Sequence, residues 1–207
     1  MKNENGNKNG SDSTAEVKDE PFKPQKLGNI FTTRRMAVIA ATAALYVLLT
    51  ISLAPISYGE MQIRLSEIMN LLVFINPLFG IGMILGCFIA NLFSPFALYD
   101  CIFGTLSTVF SVFMIMRSKK LFVASLWPTV SAVFIGFELL LVFGHHGTAL
   151  SLAEAGAMSD IAINTISFFV YTGWVMVGQF AACTVIAYPI FRMILKNERL
   201  VKYLKKF

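Results

Sequence analysis

Residues 66–97 read SEIMNLLVFINPLFGIGMILGCFIANLFSPFA. The run is almost wholly apolar, yet it is too long for one helix across a hydrocarbon core ~30 Å thick. Near its middle stands Asn76-Pro77, which disfavours an unbroken helix because proline lacks the N–H and its ring crowds the preceding turn. The stretch therefore reads as two short membrane spans meeting at a turn, and this sets the parity of every later crossing. Four further apolar blocks flank it, at 37–56, 102–116, 121–143 and 161–191, the last long enough to tilt or protrude. Six spans result. Charge tests the count, since loops rich in lysine and arginine stay cytoplasmic. With six spans and a cytoplasmic N-terminus, Arg34 and Arg35, the RSKK loop at 117–120 and the basic C-terminus all fall inside, and Arg64 is left outside. A single span over 66–97 would turn RSKK outward. The expected fold is an all-α membrane protein, a six-transmembrane-helix bundle, multi-pass in the cell membrane with both termini cytoplasmic.

Composition agrees. The chain is 56% hydrophobic with a mean hydropathy of +0.68 and only 14% charged, against roughly 25% charged in an ordinary soluble domain. Six spans of about 20 residues leave no room for a separate soluble domain. Residues 1–29 are too polar to build a core and are expected to be a disordered cytoplasmic tail, with residues 30–207 forming the six-helix domain. The first apolar block comes too late for a cleavable signal peptide, so the tail is expected to remain attached. A net charge of +5 raises the question of nucleic acid. The basic residues, however, sit between apolar blocks and form no stripe interleaved with exposed aromatics, so no nucleic-acid partner is expected. Cys87, Cys101 and Cys183 are scattered without C-x-x-C spacing and read as small apolar helix residues.

Polar groups inside a bilayer are expensive, about 2.5–3.5 kcal/mol for a charge at a helix centre, and so mark sites or pathways. Here they gather on one side. Arg64, Glu67 and Asn70 fall in the outer half of span two, on one face by i, i+3 spacing. Asn91 falls in the outer third of span three with Asp100 just beyond, Glu138 near the outer end of span five, and Asn164, Tyr171 and Trp174 in the outer half of span six. The inner half offers no carboxylate and no continuous polar file, which argues against an ion pump or proton-coupled carrier. The expected arrangement is an outward-facing binding cup whose carboxylates, amides and aromatic faces suit a flat, polar heterocycle.

Each residue also has a purely structural reading. Arg64 with Glu67 serves equally as a helix-end salt bridge, Asn70 and Asn91 as interhelical hydrogen-bonding groups, and Tyr171 and Trp174 as interfacial aromatics. Glu138 is harder to place, because it has no partner one turn away on its own helix. The outer-loop pair His145-His146 lacks a third ligand at metal spacing and reads as solvated loop, so no metal is expected.

Small residues form two further faces. Gly82, Gly86 and Ala90 recur every four residues, a pattern for close internal helix packing. Ala37, Ala41 and Ala44, with Ala40 alongside, give the first span a smooth stripe. A cup with neither exit nor an ATP-binding G-x-x-x-x-G-K-[ST] motif needs a separate protein to release its cargo, which favours this stripe as the contact.

Residues 53–108 resemble the QueT family of membrane proteins. They carry R-[IL]-S-E at Arg64-Leu65-Ser66-Glu67, G-x-x-x-G-C-x-x-A-N from Gly82 to Asn91, and D-x-x-F-G from Asp100 to Gly104. The resemblance implies a substrate-binding S component of an energy-coupling factor (ECF) importer. The implied cargo is a queuosine precursor, a 7-deazaguanine base, and the implied partners are a transmembrane coupling subunit and two cytoplasmic ATPase subunits. Ala37, Ala41 and Ala44 are implied to meet the coupling subunit, and transport to involve toppling of the S component within the lipid bilayer. Neither enzymatic activity nor a cofactor is implied.

For such a cargo, Glu67 or Glu138 is expected to read the N–H and amino donors on one edge of the base. Asn91 and Asn164 are expected to hold the remaining polar atoms, and Tyr171 or Trp174 to stack on the ring. Three alternatives stand beside this reading. One is an S component for a flavin or another small vitamin. Another is an intramembrane enzyme using Glu67, Asp100 or His145, for which the chain lacks H-E-x-x-H and G-x-S-x-G. The third is a structural or assembly protein of the membrane.

Overall fold

A computed structural model describes residues 32–58, 64–143 and 160–206. The polar tail at 1–29 and His145-His146 lie outside them. Every element among the described residues is helical. The first apolar block forms α1, Thr33–Ser52, after which the chain turns at Leu53 into the one-turn α2, Ala54–Ser57. Pro55 sits in the opening turn of α2, where its missing N–H has no helical partner to lose.

The 66–97 stretch breaks where proline predicts. A 3₁₀ helix, Leu65–Leu71, runs into α3, Leu72–Ile75; Asn76 adopts extended backbone, and α4, Leu78–Asn91, begins behind Pro77. The Asn76 side chain secures the turn from both sides. Its Oδ1 accepts the Leu78 N–H at 3.0 Å, and its Nδ2 donates to the Leu204 carbonyl at 3.0 Å.

Next come α5, Ala97–Tyr99, a π-helical stretch, Asp100–Gly104, and α6, Thr105–Arg117, forming one continuous helix. Helix α7, Leu121–Phe143, matches its expected limits. Then α8, Asp160–Gln179, a second π-helical stretch, Phe180–Ala187, and α9, Tyr188–Lys196, run on end to end. The extended backbone of Asn197 stops that helix and starts α10, Glu198–Lys205, which the Asn197 side chain caps through the Leu200 N–H.

Four of these helices are long and apolar enough to cross a membrane: Thr33–Ser52, Ala97–Arg117, Leu121–Phe143 and Ile161–Lys196. The arms Leu65–Ile75 and Leu78–Asn91 are apolar but shorter. At ~2.0 Å per 3₁₀ residue and 1.5 Å per α residue, each arm is roughly 20 Å long against a core of ~30 Å. Each arm is shorter than the core is thick, and the polar groups at their far ends, Arg64 and Asn91, are enclosed by protein. Both are buried.

Helix α1 packs along α4, and α7 along both α6 and α8. The α1–α4 contact is close because Gly82 and Gly86 present no side chain. A Cβ on Gly82 would lie 2.7 Å from the Ile39 carbonyl oxygen, and one on Gly86 2.9 Å from that of Ala43. The small-residue repeat is thus internal packing. Between α6 and α7 the seam is hydroxyl-bonded, with Ser107 and Ser111 each donating to Ser131 Oγ, at 2.9 and 2.8 Å.

Candidate functional site: a buried polar cluster at one end of the bundle

The antiparallel course of the helices brings the ends of α1, α4 and α7 to the starts of the 3₁₀ arm, α5 and α8. Two linked sets of polar side chains meet there. The first centres on Asp100. Arg64 Nη2 donates to Asp100 Oδ1 at 3.0 Å, and the two residues are 3% and 2% exposed. Ser94 donates its hydroxyl to the other oxygen, Oδ2. Glu138, 1% exposed near the end of α7, lies close enough for its carboxyl to interact electrostatically with the same aspartate.

The π-helical turn at Asp100–Gly104 makes this geometry possible. A widened turn loosens the backbone ladder and frees carbonyls for side-chain donors. Asn91 Nδ2 donates to the Asp100 carbonyl at 2.7 Å, and Gly104 leaves the space that the amide occupies: a Cβ there would stand 2.7 Å from Asn91 Nδ2. Cys87, fully buried, accepts the Thr108 hydroxyl at 3.1 Å. The D-x-x-F-G segment thus folds around the asparagine that ends α4.

The second set centres on Glu67. Tyr46 of α1 donates its hydroxyl to Glu67 Oε1 at 2.7 Å, and Asn70 Nδ2 donates to Oε2. One turn along, Thr50 donates to Ser66 at 2.8 Å, and Cys183 approaches the Glu67 carbonyl at 3.4 Å. Both oxygens of Glu67 are therefore held from within the protein.

Of the residues read from sequence, Arg64, Glu67, Asn70, Asn91, Asp100 and Glu138 come together, all buried. Tyr171 is buried in a neighbouring apolar cluster with Ile135, Leu139 and Val175, its ring 6.2 Å from that of Phe143. Asn164 is half-buried on α8. Trp174 does not join them: it is 46% exposed on the outside of α8. Arg64 and Glu67 do not bond to each other as a helix-end pair; each takes a partner from another helix, Asp100 and Tyr46. Ala37, Ala41 and Ala44 are exposed.

Sequence reading missed Tyr46, Thr50 and Ser94. A signal for the first two was present, since a phenol and a hydroxyl at i, i+4, turned away from the alanine stripe, require buried partners.

Three buried carboxyls, Glu67, Asp100 and Glu138, thus share this end of the bundle with one guanidinium, which pairs with Asp100. Among the described residues, three acceptors in the cluster meet no donor, Glu138 Oε2, Asn70 Oδ1 and Asn91 Oδ1, and one donor, Arg64 Nε, meets no acceptor.

Comparison with known proteins fits this chemistry to a class. The family model described as QueT transporter matches residues 36–196. The chain belongs to the QueT transporter family. The family is one of transporters rather than enzymes, and the membrane-length apolar helices of this chain fit a multi-pass membrane protein. Among curated relatives, the queuosine precursor transporter QueT of Lactococcus lactis subsp. cremoris (strain MG1363) is 44% identical over 79 residues, 37% of this chain and 46% of the relative. The matched part thus spans about half the length of that QueT protein. No solved structure matches.

Proposed function

We propose that this chain is the substrate-capture subunit, or S component, of an ATP-driven ECF importer, and that its cargo is a 7-deazaguanine queuosine precursor. In this reading the polar cluster is the floor of an outward-facing cup, the two short arms count as spans two and three of six, and both termini are cytoplasmic. The observation that carries it is the set of buried acceptors on Glu138, Asn70 and Asn91 that meet no donor among the described residues. The edge of a deazaguanine supplies the matching ring N–H and amino donors, and a carboxylate accepts two of them as a bidentate pair. The name of the L. lactis relative, a queuosine precursor transporter, supports the same cargo.

The roles divide by what each side chain has left to offer. Glu138 reads the donor edge, because Glu67 is already occupied by Tyr46 and Asn70. Asn91 and Asn164 hold further polar atoms, and Tyr171 stacks on the ring. Arg64 and Asp100 hold the arms in register beneath the cargo. Ala37, Ala41 and Ala44 form the face for the transmembrane coupling subunit, which works with two ATPase subunits. Their exposure on the side of α1 turned away from Tyr46 and α4 supports that assignment.

Uptake of a labelled 7-deazaguanine by cells carrying this chain, the coupling subunit and both ATPases tests it. Accumulation is expected only with all components present, and Ala41→Trp should cut uptake at least 10-fold while cargo binding by the purified chain stays unchanged. Uptake by the chain alone, or full uptake by the variant, contradicts the partner assignment.

A further inference from the structure

The opposite end of the bundle carries a second feature, which the transport reading leaves unused. Residues 188–207 contain six basic side chains, Arg192, Lys196, Arg199, Lys202, Lys205 and Lys206, against one acid, Glu198. Glu198 lies 3.9 Å from Lys202 in a fully solvated pair. The basic RSKK loop lies at the same end. Phe122, just after it, packs edge-on against Tyr188 with ring centroids 5.6 Å apart, and Leu121 joins Leu195 and Leu204 on one apolar cluster.

Helix α10 does not continue the axis of α9. It breaks at Asn197 and is tied to the turn at Asn76 through the Leu204 carbonyl. At 100° per residue, Leu200, Val201, Tyr203 and Leu204 fall on one face and Arg199, Lys202 and Lys205 on the other. The bundle covers only half of the apolar face. Val201 and Leu204 are half-buried, whereas Leu200 is 41% and Tyr203 60% exposed, and the neighbouring Met193 of α9 is exposed as well.

We propose that α10 is an interfacial anchor that docks on an anionic phospholipid leaflet at the basic end of the bundle. Leu200, Tyr203 and Met193 enter the acyl boundary, and Arg199, Lys202 and Lys206 reach up to the headgroups. The charge balance selects anionic lipid over zwitterionic lipid, since juxtamembrane lysines and arginines are drawn to a negative leaflet. The uncovered apolar half selects a lipid surface over a soluble phosphate, which would leave Leu200 and Tyr203 in water. An eight-residue helix is marginal by itself, so docking also determines whether α10 stays folded.

Amide hydrogen exchange on the purified full chain tests the proposal, in nanodiscs of phosphatidylglycerol with phosphatidylcholine and in nanodiscs of phosphatidylcholine alone. Amides 199–206 should exchange at least 10-fold more slowly in the anionic discs. The triple variant Arg199→Gln, Lys202→Gln, Lys206→Gln should bring them to the phosphatidylcholine rate while the amides of α7 keep theirs. Equal protection in both lipids overturns the proposal. So does a lipid difference that survives in the variant, or protection that arises only when partner proteins are added.

Discussion

Arg64→Met lowers the stability of the purified protein by about 3–5 kcal/mol, the cost of removing one partner from a buried ion pair. The loss falls on Asp100, left at 2% exposure with no guanidinium to answer it. Arg64→Met/Asp100→Leu should recover much of that loss, because replacing both partners with apolar groups removes the uncompensated charge along with the bond. Denaturant titration in mixed micelles, followed by circular dichroism, reads both. The effect also separates two readings of the R-L-S-E segment. An exposed helix-end pair contributes about 0–1 kcal/mol, so a small loss in Arg64→Met returns Arg64 to the surface.

That contrast shows what the sequence could and could not express. The break at Asn76-Pro77 was legible because proline acts through its own missing N–H, a local cause. The gathering of Arg64, Glu67, Asn91, Asp100 and Glu138 at one end was legible because spans alternate direction, so position along a span translates into depth. Partnership was not legible. Arg64 and Glu67 sit three residues apart and invite pairing, yet the 3₁₀ geometry of Leu65–Leu71 and the nearness of α1 and α5 give each a different helix to bond.

The π-helical turn at Asp100–Gly104 left no periodic signal either, being a local widening set by where Asn91 arrives. Trp174 shows the limit from the other side. Its depth was readable but its exposure was not: Trp174 is 46% exposed although Tyr171, one turn before it, is buried. The shortness of the two arms was visible in the residue count, while its consequence, polar ends enclosed by protein, needed the packing.

Glu138→Gln weakens binding of a 7-deazaguanine roughly 10- to 100-fold, since leaving a buried donor unpaired costs about 1–3 kcal/mol. Glutamine keeps the shape but turns one acceptor into a donor, which meets the amino donor of the base head-on. The fold should not suffer, because glutamine keeps the volume and the hydrogen-bonding capacity of the side chain beside Asp100, and melting without ligand should be unchanged. Trp174→Ala serves as the control. With its indole on the outside of α8, binding should move less than 2-fold. Calorimetric titration of the purified variants gives both numbers, and an unaltered affinity in Glu138→Gln removes Glu138 from the site.

In the proposed function a flat base fills the buried acceptors that find no donor among the described residues. Thermal melting of the purified chain against 7-deazaguanines, guanine, riboflavin and other small vitamins tests it most directly, because a ligand that binds only the folded state stabilises it by mass action. At 100-fold excess over Kd the gain is about 2.7 kcal/mol, or about 5–10 °C for a chain of this size. The account predicts that rise with a 7-deazaguanine, little with riboflavin, and its loss in Glu138→Gln. A rise with another vitamin and none with any deazaguanine would contradict it.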